Sequence, residues 1–89
     1  MDKALEKFNT WLNRSTWYTG HPIDEEVFYK CAYAAHKEYK HLDAGRLRDY
    51  IEEYVNNNSP LDEGFLQNKA EDYAMKFETV SEFLSANKL

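Results

Sequence analysis

The sequence predicts an all-α fold: a compact bundle of four to five short helices, with the helix over residues 24–41 at its centre. Apolar residues recur at helical spacing along nearly the whole chain. No segment alternates apolar and polar residues for long enough to predict a strand. Because the chain has 89 residues and no low-complexity run, we expect residues 1–89 to form one helical domain.

The first helix is predicted over residues 3–13, where the apolar positions fall on one side of the helix. These positions are Ala4, Leu5, Phe8, Trp11 and Leu12. Gly and Pro residues within the segment 15–22 then break the helical pattern. Trp17 and Tyr18 lie in this segment, and because their side chains are large for a solvated loop, we expect them to fold back over the core.

The second helix, predicted over residues 24–41, has two apolar faces. Successive residues lie about 100° apart around a helix, so the set expected to face the core is Val27, Phe28, Cys31, Ala32, Ala35 and Tyr39. A second set, at positions i, i+4, i+7 and i+11, is Tyr29, Tyr33, His36 and Lys40. A small chain buries only about two-thirds of its unfolded surface. The second set is therefore either covered by neighbouring helices or available to a partner.

The third helix has the clearest start signal in the chain. Asp43 can cap it, and Leu42 and Leu47 have the spacing of a hydrophobic staple. The predicted buried arc is Leu47, Tyr50, Ile51 and Tyr54, with Val55 at its edge. Short helices joined by tight links favour a compact helical bundle.

The fourth helix is predicted to start at Ser59-Pro60, a cap residue followed by Pro, and to run to about Phe77. Its main face is Leu66, Ala70, Tyr73, Ala74 and Phe77. Leu61, Phe65 and Met75 lie on its far side, which makes a second candidate contact surface. A fifth helix with Val80, Phe83 and Leu84 either starts at Thr79 or continues the fourth without a break.

Motifs for catalysis, cofactor binding or metal binding are not recognisable in the sequence. The three glycines are isolated, so no phosphate-binding loop is predicted. The histidines His21, His36 and His41 lack the i, i+3 or i, i+4 spacing that places two metal ligands on one helical face. Cys31 is surrounded by apolar residues, which predicts a core thiol and not a nucleophile. We therefore nominate no catalytic, cofactor-binding or metal-binding residue and expect no enzyme activity.

Charge and cysteine content limit the expected partners and compartment. The formal net charge of −5 disfavours nucleic acid and anionic membranes. No window is apolar over the roughly 18 residues of a membrane span. A single cysteine excludes an internal disulfide and is compatible with a reducing compartment, so a cytoplasmic protein is expected.

The sequence thus favours a small acidic intracellular protein that binds another protein, or a second copy of itself as a homodimer, with no small-molecule substrate evident. The candidate interface residues are Tyr29, Tyr33, His36, Lys40, Leu61, Phe65 and Met75. One alternative is an inhibitor or regulator, of the kind carried by mobile elements, that blocks a nucleic-acid-binding enzyme through an acidic surface. The other is a helix-turn-helix-like DNA-binding protein, which the acidic neighbours of Arg46 and Arg48 disfavour.

Overall fold

The computed structural model of the protein describes residues 2–57 and 63–86, which contain five α-helices. The helices are α1 (Asp2–Arg14), α2 (Glu25–Lys37), α3 (Ala44–Asn57), α4 (Glu63–Asn68) and α5 (Ala70–Ala86). No strand occurs in these two ranges. The predicted all-α bundle is confirmed, and none of the helices in the described ranges has the length and apolar character needed to cross a membrane.

The core lies where α1, α2 and α5 meet. Phe8, Phe28 and Phe77 contribute one fully buried ring from each of these helices. The ring centroid of Phe8 lies 4.4 Å from that of Phe77 and 5.4 Å from that of Phe28. Around these rings, α5 packs on α1, α2 and α4, while α3 packs on α2. The central position predicted for the second helix is confirmed, and α5 shares it.

The segment between α1 and α2 is tied to α1 by a reciprocal pair of hydrogen bonds. The side-chain amide of Asn9 donates to the carbonyl of Ile23 at 3.0 Å, and the Ile23 amide donates to Asn9 Oδ1 at 2.9 Å. Trp17 and Tyr18 pack against the core, as predicted, and the Trp17 ring centroid lies 5.6 Å from that of Trp11. This segment therefore closes the core on the side of α1.

α2 begins as predicted but ends earlier than residue 41. Asp24 caps its start, because Asp24 Oδ1 accepts a hydrogen bond of 2.8 Å from the Val27 amide. The helix ends at Lys37, and Glu38 leaves the helical conformation with φ −112° and ψ 23°. The assignment of Tyr39 to the core is therefore wrong: helical periodicity no longer applies there, and 52% of Tyr39 is exposed.

α3 starts as its sequence signals predict. Asp43 Oδ1 accepts a hydrogen bond of 2.8 Å from the Arg46 amide. Leu47 and Ile51 are fully buried, and Leu42 is buried before them. Tyr50 and Tyr54 are half-buried, whereas Val55 is exposed. The predicted buried arc of α3 is therefore confirmed, except that Val55 at its edge lies outside it.

The break between the last two helices lies at Lys69 and not near Thr79. The Lys69 carbonyl still accepts from the Tyr73 amide at 3.1 Å, so α4 and α5 follow each other closely. The Thr79 hydroxyl donates back to the Met75 carbonyl and caps nothing. The change of helix also reverses the faces predicted for α4, because Phe65 packs on the core and Leu66 is exposed. The predicted start at Ser59-Pro60 lies outside the described residues.

One charged side chain is buried between α2 and α3. Lys30 is only 2% exposed, although sequence patterns place lysine at the surface. Its Nζ lies 3.2 Å from Glu26 Oε1 and 5.9 Å from the centroid of the Tyr54 ring, but it makes no hydrogen bond. This ammonium group is held mainly by charge and by contact with the ring.

Candidate protein-docking surface

Tyr29 lies in the core and not on the predicted docking stripe. Its side chain is 8% exposed, and its ring centroid lies 6.2 Å from that of Phe28. Its hydroxyl donates to Glu25 Oε1 at 2.6 Å. The expectation that Tyr29 is available at a surface is therefore wrong, because residues of its own chain cover it.

The rest of the stripe forms an aromatic cluster that joins α2, α4 and α5, defined here as Tyr33, His36, Phe65 and Tyr73. The ring centroid of Tyr33 lies 4.7 Å from that of Phe65 and 5.3 Å from that of Tyr73. Phe65 and Tyr73 are stacked, with centroids 4.9 Å apart. The His36 ring lies 4.8 Å from that of Tyr73. The second apolar face of α2 and the far side of the predicted fourth helix therefore partly cover each other, through Tyr33 and Phe65.

Two lysine ammonium groups lie over the rings of this cluster. Lys37 Nζ is 4.1 Å from the Tyr33 ring centroid, and Lys76 Nζ is 5.6 Å from that of Tyr73. Within the described ranges, the ion pairs involve Lys7, Lys30, Arg46 and Arg48, so no carboxylate of these ranges is paired with Lys37 or Lys76. The outer side of the aromatic cluster is therefore both apolar and positively charged.

Beside the cluster lies an open groove of about 360 Å³, here called the α2–α5 groove. Its lining residues are His36, Tyr39, Lys76, Thr79 and Val80. Phe83 lies one helical turn beyond Thr79, and like Tyr39 it is 52% exposed. Large half-exposed rings at a groove are typical of protein interaction sites, because they offer apolar area without needing full burial.

Two other described residues of the predicted interface, Met75 and Lys40, do not line the groove. Met75 is 62% exposed on α5 but is not among the residues that line the groove. Lys40 is exposed in the link between α2 and α3. Leu61 lies outside the described residues.

A cluster of three side chains positions Tyr39 by ending α2. Arg46 donates from Nε and Nη2 to the two carboxylate oxygens of Glu38, at 2.8 and 2.6 Å, and the Tyr50 hydroxyl also donates to Glu38. These hydrogen bonds lower the pKa of Glu38, with that from Arg46 having the largest effect. Because the partners follow Glu38 by 8 and 12 residues, no pattern local to α2 reveals where the helix ends.

Sequence reasoning missed three residues of this surface. The sequence predicts Tyr39 in the core, places Phe83 on a fifth helix without assigning it to a face, and gives no reason to select Lys76. The only available signal was the position of Lys76 and Phe83 seven residues apart, which places them on one side of a helix. That signal is visible only once α5 is known to continue through Thr79.

A larger groove of about 600 Å³ lies between α1 and the end of α5. Trp11 and Trp17 line it together with charged residues of both signs. Lys7 and Glu78, which also line it, form an ion pair with Nζ and Oε1 2.9 Å apart. Because these two charges neutralise each other, this groove favours neither an acidic nor a basic ligand.

Reactive and metal-binding groups do not come together at either groove. Cys31 is fully buried, as predicted, and burial raises the pKa of its thiol, which disfavours the nucleophilic thiolate. No group of three or more His, Cys, Asp or Glu residues is placed to hold a metal ion within residues 2–57 and 63–86. Binding through apolar contact and charge is therefore the chemistry that the described surface supports best.

Comparison with known proteins gave no relative. No family model, curated protein or solved structure matches the chain.

Proposed function

We propose that the chain is a protein-binding module and not an enzyme, and that a partner protein docks in the α2–α5 groove. The observation that carries this proposal is the half-exposure of Tyr39 and Phe83 beside that groove. Binding energy at interfaces is concentrated in a few aromatic and cationic side chains. Such side chains surround the groove. A buried lone thiol at Cys31 supports the cytoplasm as the compartment.

The composition of the groove supports binding over catalysis. Among the described residues, its lining includes one histidine, His36, and one lysine, Lys76, but no carboxylate, cysteine or serine. General acid and base catalysis needs groups that converge on one reacting atom. Tyr39, Val80 and the stem of Lys76 instead offer a largely apolar wall.

The acidic-inhibitor alternative receives less support. Four carboxylates, those of Glu26, Glu38, Glu52 and Glu78, each lie within 3.2 Å of a Lys or Arg nitrogen. A surface that imitates a phosphate backbone needs carboxylates that are not neutralised by neighbouring cations. The described acidic residues are interspersed with basic ones instead.

Direct DNA binding through α3 also receives less support. The guanidinium of Arg46 is bound by Glu38, and Arg48 Nε lies 3.0 Å from Glu52 Oε1. Phosphate binding needs cations that are available to the nucleic acid. Both arginines of α3 already have carboxylate partners.

Site-specific photo-crosslinking tests the proposal. A benzoylphenylalanine replaces Tyr39 in the groove, and in a matched control it replaces Val55 on α3. The two positions are 52% and 51% exposed, so exposure alone gives equal cross-linking. We expect one discrete protein adduct at position 39 in cells that contain the natural partner, and none at position 55.

The mass of the adduct separates the two forms of the proposal. An adduct of twice the chain mass identifies self-association, whereas any other discrete mass identifies a different protein. Equal, diffuse cross-linking at positions 39 and 55, or no adduct at either, contradicts the proposal. Thermal unfolding of both variants checks that the substitutions leave the fold intact.

A further inference from the structure

We infer that the segment occupying the α2–α5 groove is an acidic amphipathic helix of a partner protein, whose apolar side chains contact Tyr39 and Phe83 and whose carboxylates meet Lys76 and His36. This inference rests on the proposed function and adds the chemistry of the partner. It is carried by the local charge of the groove, by its unpaired ammonium groups and by its length.

The local charge at the groove is opposite to that of the whole chain. The formal net charge is −5, yet the described residues that line the groove and can carry a positive charge are His36 and Lys76, and no described carboxylate lines it. Lys37 lies on the adjoining cluster, and Lys40 lies in the link that follows α2. The electrostatic complement of such a surface is a segment rich in Asp and Glu.

The carboxylates near the groove do not neutralise these lysines. Asp72 precedes Lys76 by one turn of α5, but no ion pair joins the two among the described residues. Glu38 precedes Tyr39, but its carboxylate is bound by Arg46 and Tyr50. The ammonium group of Lys76 therefore lies over an aromatic ring and remains available for a carboxylate from outside.

The length of the apolar surface favours a helical segment. Lys76 and Phe83 are separated by two turns of α5, or about 10 Å along its axis. A docked helix spaces its anchors at i, i+3 or i+4, and i+7 over the same length. Two or three apolar side chains of the partner would then contact Val80, Tyr39 and Phe83.

Two designed peptides provide the test. Each has about 18 residues, so that it is long enough to form a helix in isolation. Both carry leucines at i, i+3, i+4 and i+7. The remaining positions are mostly Glu in one peptide and mostly Lys in the other. Fluorescence anisotropy of the labelled peptides is measured against the whole chain at increasing salt concentration.

We expect the Glu peptide to bind at least about tenfold more tightly than the Lys peptide, with an affinity that falls as salt increases. Lys76→Glu should weaken binding of the Glu peptide by about tenfold or more. The matched control is Lys3→Glu, which makes the same charge change at an exposed position of α1 that does not line the groove. It should change the affinity by less than about twofold, because exposed charges that do not contact the ligand are screened by salt. Circular dichroism checks the fold of both variants.

Each other outcome overturns the inference. Equal binding of both peptides, binding of neither, or an unchanged affinity in Lys76→Glu contradicts the acidic partner. Displacement of the Glu peptide by a single-stranded oligonucleotide at equal concentration would assign the groove to nucleic acid instead. If position 39 still cross-links a protein when the charge test fails, the proposed function stands and only the partner chemistry is wrong.

Discussion

Replacing Lys30 by methionine should stabilise the fold. Methionine keeps the unbranched apolar stem that packs between α2 and α3, and it removes an ammonium group that is buried without a hydrogen bond. A buried polar group without such a partner costs about 1–3 kcal/mol, and a charged one costs more. Lysine at this position therefore weakens the packing of α3 on α2.

The favourable contacts of Lys30 offset only part of that cost. An i, i+4 ion pair such as that with Glu26, whose side chain is 48% exposed, contributes about 0.3–0.5 kcal/mol. A ring contact at 5.9 Å from Tyr54 contributes about 0.5–1 kcal/mol. We expect a net gain of about 1–2 kcal/mol in Lys30→Met, or roughly 5–10 °C in Tm for a domain of this size.

Urea unfolding followed by circular dichroism measures the change in the free energy of unfolding. Lys3→Met is the control, because Lys3 is exposed and its replacement should change stability by less than about 0.5 kcal/mol. A Lys30→Met protein that is less stable than wild type by about 1 kcal/mol would refute the reasoning, since the ammonium group would then be well solvated or well paired.

A double-mutant cycle identifies the partner of this charge. Glu26→Gln alone removes the counter-charge of Lys30, so we expect a loss of about 0.3–0.5 kcal/mol, the contribution of a partly exposed i, i+4 ion pair. In Lys30→Met the same Glu26→Gln substitution should have almost no effect, because Glu26 is nearly half exposed. Equal losses in both backgrounds would show that the pair is not coupled.

Three further outcomes follow from contacts described above. Phe77→Ala should lower the free energy of unfolding by about 3–5 kcal/mol in urea titrations, because it removes the ring between α1 and α2; a loss under 1 kcal/mol would place the core elsewhere. The pKa of Glu38 is lowered in the folded protein from its ordinary value of 4.5, so the ionised side chain contributes stability at pH values above 4.5. This contribution is lost as pH falls through the folded-state pKa, and Glu38→Gln should therefore flatten the acid side of a profile of Tm against pH. Burial raises the pKa of Tyr54 from 10.0 to about 12, so stability present below pH 10 is lost as pH rises toward 12; Tyr54→Phe should reduce this loss, and an identical alkaline profile would contradict the assignment.

The sequence predicted the helices and the core where the signals are local. The arc of α1, the cap at Asp24 and the buried positions Leu47 and Ile51 all follow from periodicity and capping within a few residues. These signals do not depend on how the rest of the chain folds. The all-α class could therefore be predicted with no knowledge of the tertiary contacts.

The α2–α5 groove could not be predicted, because it depends on contacts between distant residues. Tyr39 lies outside the core because α2 ends before it, at the point where Glu38 is bound by side chains of the next helix. Phe65 faces the core because Lys69 separates α4 from α5. The apolar spacing in the sequence fits a single continuous helix equally well, so it does not reveal this break. Lys30 is buried because Tyr54 and α3 cover it, which no property of α2 alone indicates.

The contact between Phe8 and Phe77 has a consequence for how the chain folds during synthesis. The two rings pack at 4.4 Å although they are 69 residues apart (77 − 8) in the sequence. The sides of α1 and α2 that face α5 therefore stay uncovered on the ribosome until α5 has emerged, although the Asn9–Ile23 hydrogen bonds and the contact between Phe8 and Phe28 can hold the two helices near each other. A nascent chain paused before Phe77 is expected to be the species most exposed to aggregation and most dependent on chaperones.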